Sequence, residues 1–155
     1  MASVYLPLKY KAVTDSLVQK RELTDTAIFG NNMLLMSFTA MVGHAYSDEG
    51  HELGDFERGT EVPVDVFENN KREGLAYLLA LHEERDGEIL REGNEGDCWE
   101  IIQKYAHIGI QVIEQWRQDR PTDLDGVDTL LFHMKTEAHK LIAEEEDSPP
   151  VSITV

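Results

Sequence analysis

Apolar residues recur at helical spacing along most of this chain. Tyr10, Val13, Leu17 and Val18 follow one another at steps of three, four and one, which predicts a short amphipathic helix within residues 9–23. Residues 31–46 are apolar almost all round, with Gly30 as a breaker before them and Asn31 or Asn32 able to cap the start. A segment with so little polar surface belongs at the centre of a core. Periodicity alone leaves a buried strand as the competing reading, but the length and the methionines favour helix. A third helix begins near Asn70 and runs to Arg85, with Leu75, Leu78, Leu79 and Leu81 as its apolar face. The clearest signal lies in residues 95–118, where Trp99, Ile102, Ala106, Gly109, Ile113 and Trp116 step by 3, 4, 3, 4 and 3. Ile101, Tyr105, Ile108 and Val112 widen that stripe, and Pro121 ends it. Asp123 or Asp125 caps a last helix whose apolar line is Val127, Leu130, Leu131, Met134, Ala138 and Leu141.

The segments between these helices are polar. Residues 47–63 hold three glycines and many acids, and read as a loop with room for one extended piece. Residues 86–94 form a turn around Ile89 and Leu90. Glu144 to Pro150 ends the helical pattern, so residues 144–155 read as an acidic, proline-containing tail. Its last five residues, Val151 to Val155, alternate apolar and polar like a strand that adds to a partner's sheet edge, although a frayed end is the plainer reading. The expected fold is all-α: a compact single-domain bundle of about five helices over residues 1–143, with an acidic loop and a flexible C-terminal tail.

Composition and charge narrow the function classes. At 155 residues and 41% hydrophobic content, the chain suits one folded domain. Its 14 cations against 30 acids give a net charge of −16. That balance argues against binding free duplex DNA and against docking on an anionic membrane. No apolar run approaches the ~20 residues that span a bilayer, and the N-terminus lacks a basic region followed by a long apolar one. The single cysteine, Cys98, cannot form a disulfide within the chain, so a reducing cytoplasmic setting is expected.

No catalytic signature appears. Six histidines are present, but none stand four residues apart. His82-Glu83 begins like a zinc-protease HExxH helix, yet Asp86 occupies the place of the second histidine. His44 and His51 with Asp48 and Glu52 could converge on a metal, although loop residues of this kind more often face solvent. Asp123, Asp125 and Gly126 fit part of a calcium loop, but Pro121 and Phe132 stand where its first and last ligands belong. The two aspartates are better explained as caps. Cys98 lies near a helix start, which favours a thiolate, but the acids around it oppose one. No metal, cofactor or catalytic residue is therefore expected.

Acids are densest in residues 48–73, with nine against three cations, and in 83–100, with eight against Arg85 and Arg91. A solvated face is the plain reading of such density. The sharper one is a negative surface used by a basic protein partner, with Glu88, Glu92, Glu95, Asp97 and Glu100 as the candidate contacts. Trp99 and Trp116 are expected in the core, with Trp99 bringing apolar area close to those acids.

The order of these features carries a resemblance. An apolar helix ends Ala40-Met41-Val42-Gly43-His44, and a leucine-rich helix and Asp86-Gly87-Glu88-Ile89-Leu90 follow. Then come Tyr105-Ala106-His107-Ile108-Gly109-Ile110, Ile113 and Trp116, and finally Asp123-Leu124-Asp125-Gly126. Over roughly residues 10–143 the chain resembles the small accessory proteins encoded beside DNA phosphorothioation (Dnd) genes in bacteria and archaea. The matching positions are mostly packing residues, and no catalytic residue transfers with them. The resemblance implies a companion of larger enzymes in sulphur-modified-DNA defence against phage. The expected function is a non-enzymatic accessory or regulatory subunit that binds a larger protein with a basic surface. The rival readings are an acidic DNA mimic that inhibits a DNA-binding protein, and a small metal-dependent enzyme built on His44 and His51. A homo-oligomer is compatible with all three.

Overall fold

The computed structural model describes residues 3–21, 24–49 and 54–148. Among the described residues, six α-helices carry the fold: α1 (Lys11–Val18), α2 (Asn32–Ala45), α3 (Val64–Asn69), α4 (Gly74–Glu84), α5 (Glu95–Asp119) and α6 (Val127–Asp147). Two strands, β1 (Ser3–Pro7) and β2 (Arg58–Pro63), pair antiparallel, with Val4 opposite Val62 and Tyr5 opposite Glu61. The architecture is therefore mostly helical with a small sheet, which corrects the all-α expectation. β1 gives no period-two signal because both of its faces are covered, Val4 and Leu6 being as buried as Ser3 and Pro7. β2 is the extended piece inside the acidic segment, and it buries Thr60 and Val62 while turning Glu61 outward. α3 is too short to show a helical period, yet it delivers the fully buried Phe67 to Trp99, with ring centroids 5.1 Å apart.

The centre of the molecule is the crossing of α2 and α5. The Asn31 side chain accepts the Leu34 amide at 2.9 Å and starts α2, which then buries Leu35, Met36, Thr39, Ala40 and Gly43. Of these, Leu35, Met36 and Ala40 join Ile102, Ala106, Ile110 and Ile113 of α5 in one apolar cluster. The two backbones touch at a pair of glycines. A Cβ on Gly43 would lie 1.7 Å from the Tyr105 carbonyl oxygen, and a Cβ on Gly109 would lie 1.7 Å from that of Thr39. Any side chain at either position would drive the helices apart.

α5 also anchors the sheet. Gln103 and His107 lie one helical turn apart and reach the same strand residue. The Tyr5 amide donates to Gln103 Oε1 at 2.8 Å, and His107 Nε2 lies 2.8 Å from the Tyr5 carbonyl oxygen. A carbonyl oxygen only accepts, so the imidazole proton sits on Nε2. The outer edge of β1 is thus occupied at Tyr5 by side chains.

The last helix starts as the sequence suggests. Asp123 accepts both the Thr129 amide and the Thr129 hydroxyl at 2.6 Å, and Asp125 accepts the Val127 amide at 3.1 Å. Gly126 joins them at φ +82°, a conformation that favours glycine. These carboxylates accept hydrogen bonds from donors in the first turn of α6. α6 continues to Asp147, past the boundary at 143 drawn from the sequence, while Val151 to Val155 lie outside the described residues. No helix among the described residues is long and apolar enough to cross a membrane.

Candidate interaction site

The end of α4 and the start of α5 are joined by a short, well-tied connection. Arg85 closes α4 in the left-handed conformation, at φ 53°. The Asp86 side chain then accepts the Glu88 amide at 3.0 Å and opens a 3-10 turn over Gly87–Leu90. Asn94 Nδ2 donates to the Glu88 carbonyl at 2.8 Å, which fastens this turn just ahead of α5. The result is a surface groove lined by Glu83, Glu84, Ile89, Asp97, Glu100, Ile101 and Lys104.

The five candidate acids divide between two places. Asp97 and Glu100 line the groove, one turn apart on α5. Glu88, Glu92 and Glu95 are exposed on the turn and at the helix start, outside it. Glu88 is paired with Arg91 at 2.7 Å, and Glu95 accepts the Gly93 amide at 2.9 Å. Trp99 does not supply apolar area to this surface. It is 1% exposed, packed beneath Phe67 and Tyr77, and the apolar lining of the groove comes from Ile89 and Ile101 instead. The 3-4 stripe of α5 predicted this burial of Trp99 correctly, and the same stripe leaves its neighbours Asp97 and Glu100 facing outward.

One wall of the groove is a polar cluster that the sequence did not reveal. Glu83 holds Lys104 Nζ through one oxygen at 2.5 Å and the Tyr105 hydroxyl through the other. These bonds, from Lys104 first and then Tyr105, hold the Glu83 carboxyl below its ordinary range. Burial, together with the Glu83 partner, pushes the Tyr105 hydroxyl above its own. Next to them His44 Nε2 lies 3.2 Å from His82 Nδ1, with the two rings edge to face. Three separate segments meet here, and no local motif links them; only His82-Glu83 stood out, for a different reason.

Of the metal candidates, His44 and Asp48 are among the described residues. His44 faces His82, while His51 and Glu52 lie outside the described residues. Among the described residues, no group of three or more His, Cys, Asp or Glu is placed to hold a metal ion. Cys98 is buried, and its thiol is pushed upward by burial and then by Asp97 and Glu95. Both effects oppose a reactive thiolate.

A family model described as DNA sulphur modification system-associated protein 4 matches residues 9–149. Comparison with curated proteins and with solved structures returns no match.

Proposed function

The chain belongs to the family of DNA sulphur modification system-associated protein 4, and on that premise we propose that it serves such a system as a non-enzymatic, protein-binding subunit. Its role is accessory to the larger enzymes of the system, within phage defence. The observation that carries this proposal is the groove between α4 and α5. There the carboxylates of Glu84, Asp97 and Glu100 share the lining with the apolar side chains of Ile89 and Ile101. Lys104, the cation of the groove, is engaged by Glu83. Carboxylates beside apolar area suit a basic protein surface: the charge steers the encounter, and the apolar side chains supply burial.

The test uses the purified components of a DNA sulphur modification system and the full chain. Association rates are measured at several salt concentrations. Replacing Asp97 by Asn and Glu100 by Gln slows association with the cognate component and flattens its salt dependence. Replacing Glu88, Glu92 and Glu95 by Gln, beside the groove, gives a smaller loss. The proposal fails if no component binds, or if binding persists at an unchanged rate after the groove substitutions.

A further inference from the structure

α6 presents two seams. One faces the body of the protein: Leu130 is buried, the His133 ring stacks on Trp116 at 4.1 Å, and Glu137 accepts the Tyr46 hydroxyl at 2.5 Å. The other runs through Leu131, Met134, Ala138 and Leu141, at steps of three, four and three, with Ile142 beside it. At 3.6 residues per turn this second seam lies about 100° around the helix from the first. Its side chains face solvent, with Leu131 48% exposed, Met134 50% and Leu141 66%. Alternating steps of three and four are the spacing by which one helix packs into another. The buried residues of α6 are Thr129 and Leu130, in its first turn. Beyond that turn the helix carries an apolar line that the described residues leave uncovered.

Charge identifies what fits there. α6 ends in Glu144, Glu145, Glu146 and Asp147, with no cation in its last turn. Four carboxylates thus sit at the negative end of the helix dipole, where negative charge is unfavourable. A second copy of the chain fits poorly. Each copy carries −16. Parallel pairing would bring the two acidic ends together. Antiparallel pairing on the Leu131 and Leu141 layers would set Lys135 against Lys135 and Glu137 against Glu137 along the flanks.

We propose that this outer seam of α6 docks a basic amphipathic helix of a partner protein. The partner helix lies antiparallel, so that its N-terminal end and its Lys or Arg side chains meet Glu144–Asp147. Its own apolar line interlocks with Leu131, Met134 and Leu141. This surface is separate from the groove between α4 and α5, and neither depends on the other.

The experiment titrates the full chain with a labelled synthetic peptide and reads fluorescence anisotropy. The peptide carries Leu at its two seam positions, Glu at the flank facing Lys135 and Lys at the flanks that meet Glu144–Asp147; a second peptide carries Glu in place of those Lys. The Lys-flanked peptide binds, and L131Q/L141Q weakens it at least about tenfold while the circular dichroism spectrum is unchanged. Replacing Glu144, Glu145 and Glu146 by Gln removes most of the tightening that low salt gives the parent chain, since the attraction those charges supply is gone. The groove variant with Asp97→Asn and Glu100→Gln binds the peptide as before, so failure of the groove proposal and failure of this one give different results. Absence of binding, equal binding of the Glu-flanked peptide, or indifference to L131Q/L141Q overturns the proposal. So does sedimentation that shows a dimer of the chain which L131Q/L141Q dissolves, because the seam would then belong to a second copy.

Discussion

Gly43 and Gly109 lie face to face, and the Cβ that either lacks would fall within 3 Å of the other's backbone nitrogen. Carbonyl oxygens already occupy the space where those side chains would project. The α2–α5 crossing therefore depends on two hydrogen atoms that no other residue type offers.

Gly109→Ala should accordingly lower stability by about 3 kcal/mol or more, at or above the top of the usual overpacking range. The displaced neighbour is backbone and cannot rotate away. Gly74→Ala, at the start of α4 where a Cβ meets nothing within 4 Å, is the control and should be neutral or stabilising by about 0.5 kcal/mol. Urea unfolding of both variants checks this. Similar losses in the two would mean that the crossing tolerates a methyl group.

Trp116 is 7% exposed, stacked on His133 and edge-on to Tyr46 at 5.6 Å. It joins α5 to α6. Trp116→Ala should cost about 3–5 kcal/mol by emptying this site. A loss below about 1 kcal/mol in a denaturant melt would show instead that α6 is held by other contacts.

His107 gives a pH signature. Burial, with a smaller push from the Lys9 charge, holds its imidazole below the ordinary value despite the bond to Tyr5. A depressed value in the folded state means that protonation favours unfolding. The stability contributed is complete above about 6.5 and is lost as pH falls through the lower, folded-state value. Unfolding measured from about pH 7.5 downward should show a slope that shrinks in His107→Gln, which keeps a donor for the Tyr5 carbonyl without a titrating ring. Carboxylates such as Glu83 add their own loss only in the more acidic range, below the ordinary carboxylate value. Equal slopes above that range would show that His107 protonation is not linked to unfolding.

Much of the helical frame was legible because long helices repeat their signal. α5 offers about seven turns of consistent stripe, and α2 is marked by its apolar run and its Asn31 cap. β1 and α3 were not legible. Each has only five or six residues, and each is held by distant partners, Tyr5 by Gln103 and His107, and Phe67 by Trp99. The candidate site divided in the same way. Asp97 and Glu100 followed from an acidic stretch on a predicted helix. The groove's Glu83, Lys104 and Tyr105 did not, because Glu83 reaches them from 21 and 22 positions away.

The grip of α5 on β1 also sets an order of events. The bonds that satisfy Tyr5 span 98 and 102 positions of sequence. On a ribosome adding about 5–20 residues per second, Tyr5 is added roughly 5–20 s before His107. During that interval Val4 and Leu6 have neither β2 nor α5 to cover them for most of the time. β1 thus cannot complete its contacts until the α5 segment has been made. Nascent chains stalled before residue 107 leave β1 without its α5 partners and should be held by chaperones or cleared by proteases.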